Sequence, residues 1–275
     1  MPRSAPALKM QIVLRSFAAA AVLAASTVTA AAQSPDALAR ARVLYNQRQF
    51  DAAILAADRA AVAEEHADAA DLVGGRAYLE RYRESAAADD LTSARERLRR
   101  INPGRLGAHE RLELVIGLGE ALYFDRSTGA AANVFESVLN NRDGLVGEDR
   151  ERVLDWWASA LDGEARPRPD IERQGIYQRI RERMRDELGA SPASASASYW
   201  LAAAARGQGD LRGAWDAAQA GWVRAPLTYD RGAALRGDLD RLVERAIVPE
   251  RARALAQPPD TIRAEWESFK ERWTK

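Results

Sequence analysis

Chemistry in a protein begins with side chains that can attack, ligate or exchange protons, and this chain holds few of them in useful company. It has two histidines, His66 and His109, and no cysteine. His66 stands among Glu64, Glu65 and Asp68, which puts carboxylates and an imidazole within one helical turn. Zinc, however, wants several well-spaced nitrogen or sulfur donors, and no second histidine is near, so His66 reads as an exposed helix-end residue. His109 follows Pro103-Gly104 where a helix should begin, and reads as a surface residue. A serine nucleophile would sit in a G-x-S-x-G elbow, which is absent; the serines gather near the N-terminus and in the 190–198 stretch. Gly74-Gly75 falls inside a helical pattern with no strand before it, so it is no phosphate loop. Asp89 and Asp90 are adjacent and point different ways on a helix, and nothing selects a pair of carboxylates for glycoside hydrolysis. The expectation is a chain with no catalytic residue, no metal and no cofactor, which acts by binding.

The elements that position its surface must be helices. Of 275 residues 47% are hydrophobic, too many for a disordered chain, and much of that share is alanine, the strongest helix former. No run alternates β-branched and aromatic residues, and no Asn-Gly or Asp-Gly turn joins two such runs, so the fold class is all-α. Basic and acidic residues balance at 40 each, and only Lys9, Lys270 and Lys275 among the basic ones are lysine. Mixed runs such as Arg95-Glu96-Arg97 and Arg181-Glu182-Arg183 read as solvated faces laced with ion pairs. A nucleic-acid binder would show a one-sided basic field, and none is visible.

A repeat organises the helices. A small residue on one helix is followed twelve positions later by alanine on the next, as in Ala41 to Ala53, Gly119 to Ala131 and Ala202 to Ala214. The second helices share a face: Ala53-Ala57-Ala60, Ala94-Leu98-Ile101, Ala131-Phe135-Val138 and Ala214-Ala218-Gly221. Val115, Leu118, Gly119 and Leu122 with Ala131 and Phe135, and Leu201, Ala202, Ala205, Ala214, Ala218 and Pro226, follow the spacing W-x2-L-G-x2-Y, A-x3-F, P. On these residues, roughly 35 to 226 resembles the tetratricopeptide repeat. A further unit pairs Val73, Gly74 and Ala77 with Ala94, Leu98, Ile101 and Pro103, with extra residues near Arg81 to Ala88 expected between its helices. Leu154–Leu161 reads as another first helix and Ile171–Leu188 as its partner, joined across Pro167 and Pro169. The Ser/Ala/Pro stretch near 190–198 reads as a loop.

The resemblance implies an α-solenoid of antiparallel helix pairs with C-terminal capping helices, and a concave groove lined by first helices. One residue after the tyrosine slot of the family pattern stand Tyr45, Tyr78 and Tyr123, with Arg42, Asn46, Glu120 and Phe124 as neighbours on that mapping. These seven are the expected binding residues. A tyrosine ladder offers large area with few rotors and a hydroxyl for peptide backbone. The other reading is that the rings pack between repeats, as do the tryptophans. The carboxylate-clamp residues known in the family are not recognisable here.

The ends complete the organisation. Arg3, Lys9 and Arg15 precede an apolar run from Phe17 to Ala25 and an Ala30-Ala31-Ala32 site, the pattern of a signal peptide over 1–32, cleaved after Ala32 or kept as an anchor. The run is short for a membrane span. Domains are expected at 33–226 for the repeats and 227–275 for a helical cap. Trp266, Phe269 and Trp273 form one stripe on the last helix, a cap for the last repeat or a docking face. The functional expectation is a periplasmic or secreted scaffold, monomeric, binding protein or peptide partners in the cell envelope, without nucleic acid or a stable membrane span. The rivals are a cell-wall enzyme on the same helical frame and a subunit that docks through its C-terminal helix.

Overall fold

The computed structural model describes residues 37–141 and 144–274; the expected signal peptide lies outside them. Among the described residues there is no strand, and no helix is long and apolar enough to cross a membrane. The chain divides into two compact units, one ending at Glu110 and the other beginning at Arg111.

The first unit contains α1 (37–46), α2 (Phe50–Ala60), α3 (Ala67–Ser85) and α4 (Ala88–Arg100), with single turns of tighter helix at Glu64–His66 and Pro103–Arg105. Each helix from α2 to α4 packs on the next. Small residues make that approach close: a Cβ on Gly75 would stand 3.0 Å from Leu98. Ala41, Ala57, Ala60 and Ala70 fill one core cluster, and Phe50, Ala53, Ile54 and Ala77 another. Charges bind the same helices from outside. Arg81 forks onto Asp90, with Nε at 2.9 Å, and reaches Asp51 at 2.6 Å; Arg97 pairs with Asp58, and Arg100 with Asp71. The residues expected to form a longer connection near Arg81 to Ala88 instead extend α3 to Ser85. The joint is Ala86-Ala87, with Ala86 in the left-handed conformation that ends the helix. Arg81 explains the extension, because it needs a rigid helix to hold two carboxylates at once.

The second unit receives α5 (Ala108–Phe124), which begins in the first, and adds α6 (Thr128–Asn140), α7 (Gly147–Ala165), α8 (Asp170–Ala190), α9 (Ala195–Gly207) and α10 (Leu211–Arg224). α11 (Ala233–Leu242), α12 (Val248–Leu255) and α13 (Pro259–Trp273) close it. Consecutive helices from α6 to α10 pack in pairs, α7 also touches α9, and α9 touches α11. The 190–198 stretch is mostly helix: α9 starts at Ala195, where Ser194 accepts the Ala197 N–H, so the loop shrinks to 191–194.

The twelve-residue interval has a structural cause. Seven positions after Ala41, Gly119 and Ala202 come Arg48, Arg126 and Gly209, each with positive φ. The next residue closes each helix by bonding five positions back, Gln49 to Leu44, Ser127 to Leu122 and Asp210 to Ala205, at 2.9–3.0 Å. This is one left-handed helix stop made three times. Every residue of the shared second-helix face, from Ala53-Ala57-Ala60 to Ala214-Ala218-Gly221, is buried.

Between α11 and α12 the helix widens over Val243–Ile247, where the Val248 N–H reaches back five residues to Val243. Pro249 accounts for the slip. It has no N–H and its ring would strike the carbonyl four residues back, so the ladder shifts register before it. Trp266 of α13 is fully buried, its ring at 5.7 Å from Trp215 and 5.5 Å from Trp222, and its Nε1 donates to Asp240 at 2.9 Å. Phe269 is buried beside it, while Trp273 is exposed. Two of the three stripe aromatics are thus part of the core of the second unit.

Candidate functional site

In the first unit, Tyr45 and Tyr78 come to the same core cluster, packed against Phe50, Ala53, Ile54 and Ala77. Each is half-buried. The Arg76 guanidinium lies 5.4 Å from the Tyr45 ring, and Arg81 and Arg97 lie 5.1 and 5.4 Å from that of Tyr78. Cations on the ring faces stabilise these aromatics where they are and occupy the area a ligand would use. Arg42 is exposed and ion-paired with Glu110, and Asn46 is exposed at the end of α1.

In the second unit, Tyr123 and Phe124 meet Trp156 edge to face, at 4.9 and 5.5 Å between centroids, and Tyr123 packs onto the main core. Glu120 is 2% exposed and engaged inside the protein. Of the seven expected binding residues, then, Arg42 and Asn46 are exposed, the aromatic rings are half consumed by packing, and Glu120 is interior.

A concavity of the second unit lies elsewhere, at one end of its helices. A cleft of about 860 Å³ opens between the C-terminal ends of α6 and α8 and the first turns of α7 and α9, with the segment 227–229 along its edge. That volume falls in the range of ligand pockets. Leu139 and Leu145 form an apolar wall and are buried. On the rim Val146, Leu227 and Tyr229 are 78%, 61% and 85% exposed, large apolar side chains left in water on one feature.

The polar side of the cleft is built around Glu187, 8% exposed. It accepts from Arg150 Nε and Nη2 at 3.1 and 2.5 Å and from Arg183 Nε at 3.1 Å. Arg150 spends a further N–H on the Leu139 carbonyl at 3.2 Å, and Arg183 one on Asn140 at 2.9 Å. Two guanidiniums on one carboxylate form a rigid wall, since each planar fork fixes the other. Glu151 holds the opposite side, taking the Ser196 N–H at 2.9 Å while its carbonyl receives the Ser196 hydroxyl at 3.0 Å.

One carboxyl has the perturbation that acid–base work would use. Burial pushes Asp155 above the ordinary carboxylate range, against the Trp200 indole N–H that donates to it at 2.7 Å, and Asp238 and Glu151 push it further up. Asp155 sits on α7 but does not line the cleft. Among the described residues no group of three histidine, cysteine or carboxylate side chains is arranged to hold a metal ion.

The cleft draws on three distant stretches, 139–152, 183–196 and 227–229, so no window of sequence contains it. The one legible signal is Leu227-Thr228-Tyr229 directly after Pro226, where a polar turn would be expected. No protein-family model matches the chain, and neither curated proteins nor solved structures include a significant match.

Proposed function

We propose that this chain is an exported protein-binding scaffold, a tetratricopeptide-like solenoid that takes a protein or peptide segment of the cell envelope into the cleft of its second unit. The observation that carries the reading is the rim of that cleft. Val146, Leu227 and Tyr229 are displayed to solvent beside a preformed, ion-paired wall, the arrangement of an apolar anchor site with fixed polar neighbours. The solenoid part draws support from the helix stop repeated at Arg48, Arg126 and Gly209, and from α7 touching α9 and α9 touching α11. The half-buried aromatics Tyr123, Phe124 and Trp156 are a secondary surface on the first helices of these pairs. Export rests on the sequence of residues 1–32 alone.

The test is affinity capture of the exported chain from its own envelope extract, wild type against a triple variant Val146→Ser, Leu227→Ser, Tyr229→Ser. Because all three side chains are exposed, helical circular dichroism should be unchanged. Partners present with wild type and absent with the variant are the expected result. Partners retained by the triple variant, or recovery of the chain only from the cytoplasmic fraction, would sink the reading.

A further inference from the structure

The cleft selects its occupant by charge, and the geometry points to a segment that alternates basic with apolar side chains; this rests on the cleft being the binding site. The argument is an inventory of its ions. Three arginines line it, and each already has an acidic partner: Arg150 and Arg183 share Glu187 and also bond the Leu139 carbonyl and Asn140, and Arg152 pairs with Asp149 at 2.8 Å. Four carboxylates line it, and only Glu187 has a cation. Glu148, Glu151 and Asp186 have no ion-pair partner among the described residues, although arginines neutralise acidic side chains widely elsewhere in the chain. What the protein leaves unanswered in this cavity is therefore negative.

The carboxylates without a cation border a cavity with Leu139 and Leu145 in its wall; Glu148 and Asp186 are exposed and Glu151 is half-buried, so their attraction is felt at the mouth and is screened by salt. A guanidinium or ammonium entering the cleft meets carboxylates without displacing an existing ion pair, whereas an entering carboxylate meets repulsion. Tyr229, almost fully exposed on the edge, adds a ring face that attracts the same cations, and Val146 and Leu227 offer contact to the apolar residues between them.

The experiment is fluorescence anisotropy of the mature protein with short fluorescein-labelled peptides in which leucine alternates with arginine, with glutamate or with serine. The proteins are wild type, a double variant Glu148→Gln, Asp186→Asn and the triple rim variant described above. The expected result is that the Leu/Arg peptide binds wild type, and that its affinity falls about tenfold or more in the double variant, a change of about 1.4 kcal/mol. It should weaken as salt rises from about 0.15 M to about 1 M, where the screening length drops from about 8 Å to about 3 Å. The Leu/Glu peptide should not bind. Equal affinity for the Leu/Arg and Leu/Glu peptides, or a double variant that binds like wild type, overturns the charge selection, while loss of all binding in the rim variant keeps the cleft as the site. If no peptide binds wild type, or the rim variant binds as wild type does, the cleft is not the site and both readings fall.

Discussion

Gly207 ends α9 against the Tyr177 ring of α8, and a Cβ there would stand 2.5 Å from it. The ring cannot step aside freely, since its hydroxyl donates to Asp162 at 2.8 Å. Burial and that carboxylate together push the phenol up to about 12, so it stays a donor at all physiological pH. Gly207→Ala should therefore cost about 1–3 kcal/mol from overpacking, reduced by up to about 1 kcal/mol of regained helix propensity. Gly175, in the second turn of α8 with open space where a Cβ would stand, is the control of opposite sign. Gly175→Ala should stabilise by about 0.5–1 kcal/mol. Thermal melts of the two variants beside wild type check both, and a destabilised Gly175→Ala would mean the α8 surface is occupied in a way the contacts do not show.

At the scale of elements, the cap is the most exposed to a single substitution. Trp266→Ala would leave a hole between Trp215 and Trp222 and strip the indole donor from Asp240, at a cost of about 3–5 kcal/mol. For a chain of this size that is a fall in melting temperature on the order of 10 °C. A docking helix would tolerate the change with its melting intact and lose only association. The helices themselves were legible in sequence because their signals are local. Alanine runs and the A-x3-F face each lie within a few turns of one helix. Two boundaries were not. Nothing near Ser85 announces that Arg81 will hold Asp51 and Asp90 together and keep α3 helical, and Ser194 reads as loop until its hydroxyl is seen capping α9. The widened turn at Val243–Ile247 has no local signal either: a proline such as Pro249 ordinarily breaks a helix, and here the chain slips register instead. The binding residues were less legible still. The family mapping led to Tyr45, Tyr78 and Tyr123, whose identity is in the sequence but whose guanidinium and indole neighbours are not, and the cleft is assembled from stretches that only the fold brings together.

For the whole molecule, acid should be the sensitive variable, because carboxylates on the second unit titrate in opposite senses. Asp210 is held below the usual range first by the Gly213 backbone N–H and then by Arg181, against some burial. Asp240 is also lowered: partial burial opposes it, but Lys270 and Trp266 donate to it and outweigh that. For such groups the unfolded chain binds more protons between the folded and unfolded pKa, so their stabilisation is present above about pH 4 and lost as pH falls below it. Asp155 has the reverse sign. Raised in the folded state, it favours folding while protonated and loses that contribution as pH rises above about 4. Melting temperature should thus fall steeply on acidification below about pH 4. An Asp155→Asn variant should gain on wild type as pH rises from about 4 toward 7, whereas Asp210→Asn, which keeps the cap but not the charge, should sit below wild type at a near-constant interval there and close the gap only as pH falls below about 4. Parallel pH profiles for wild type and Asp155→Asn would refute this account of its environment.

One indole of the cap and two on α10 also give the protein a built-in optical readout. Trp266 meets Trp215 and Trp222 at oblique angles, with centroids 5.7 and 5.5 Å away, close enough for their electronic transitions to couple. Docking of α13 is then written into the circular dichroism of the aromatic bands, as a couplet that collapses when the last helix swings away. Cap opening can be followed in real time, without a label, separately from the loss of helix in the rest of the chain.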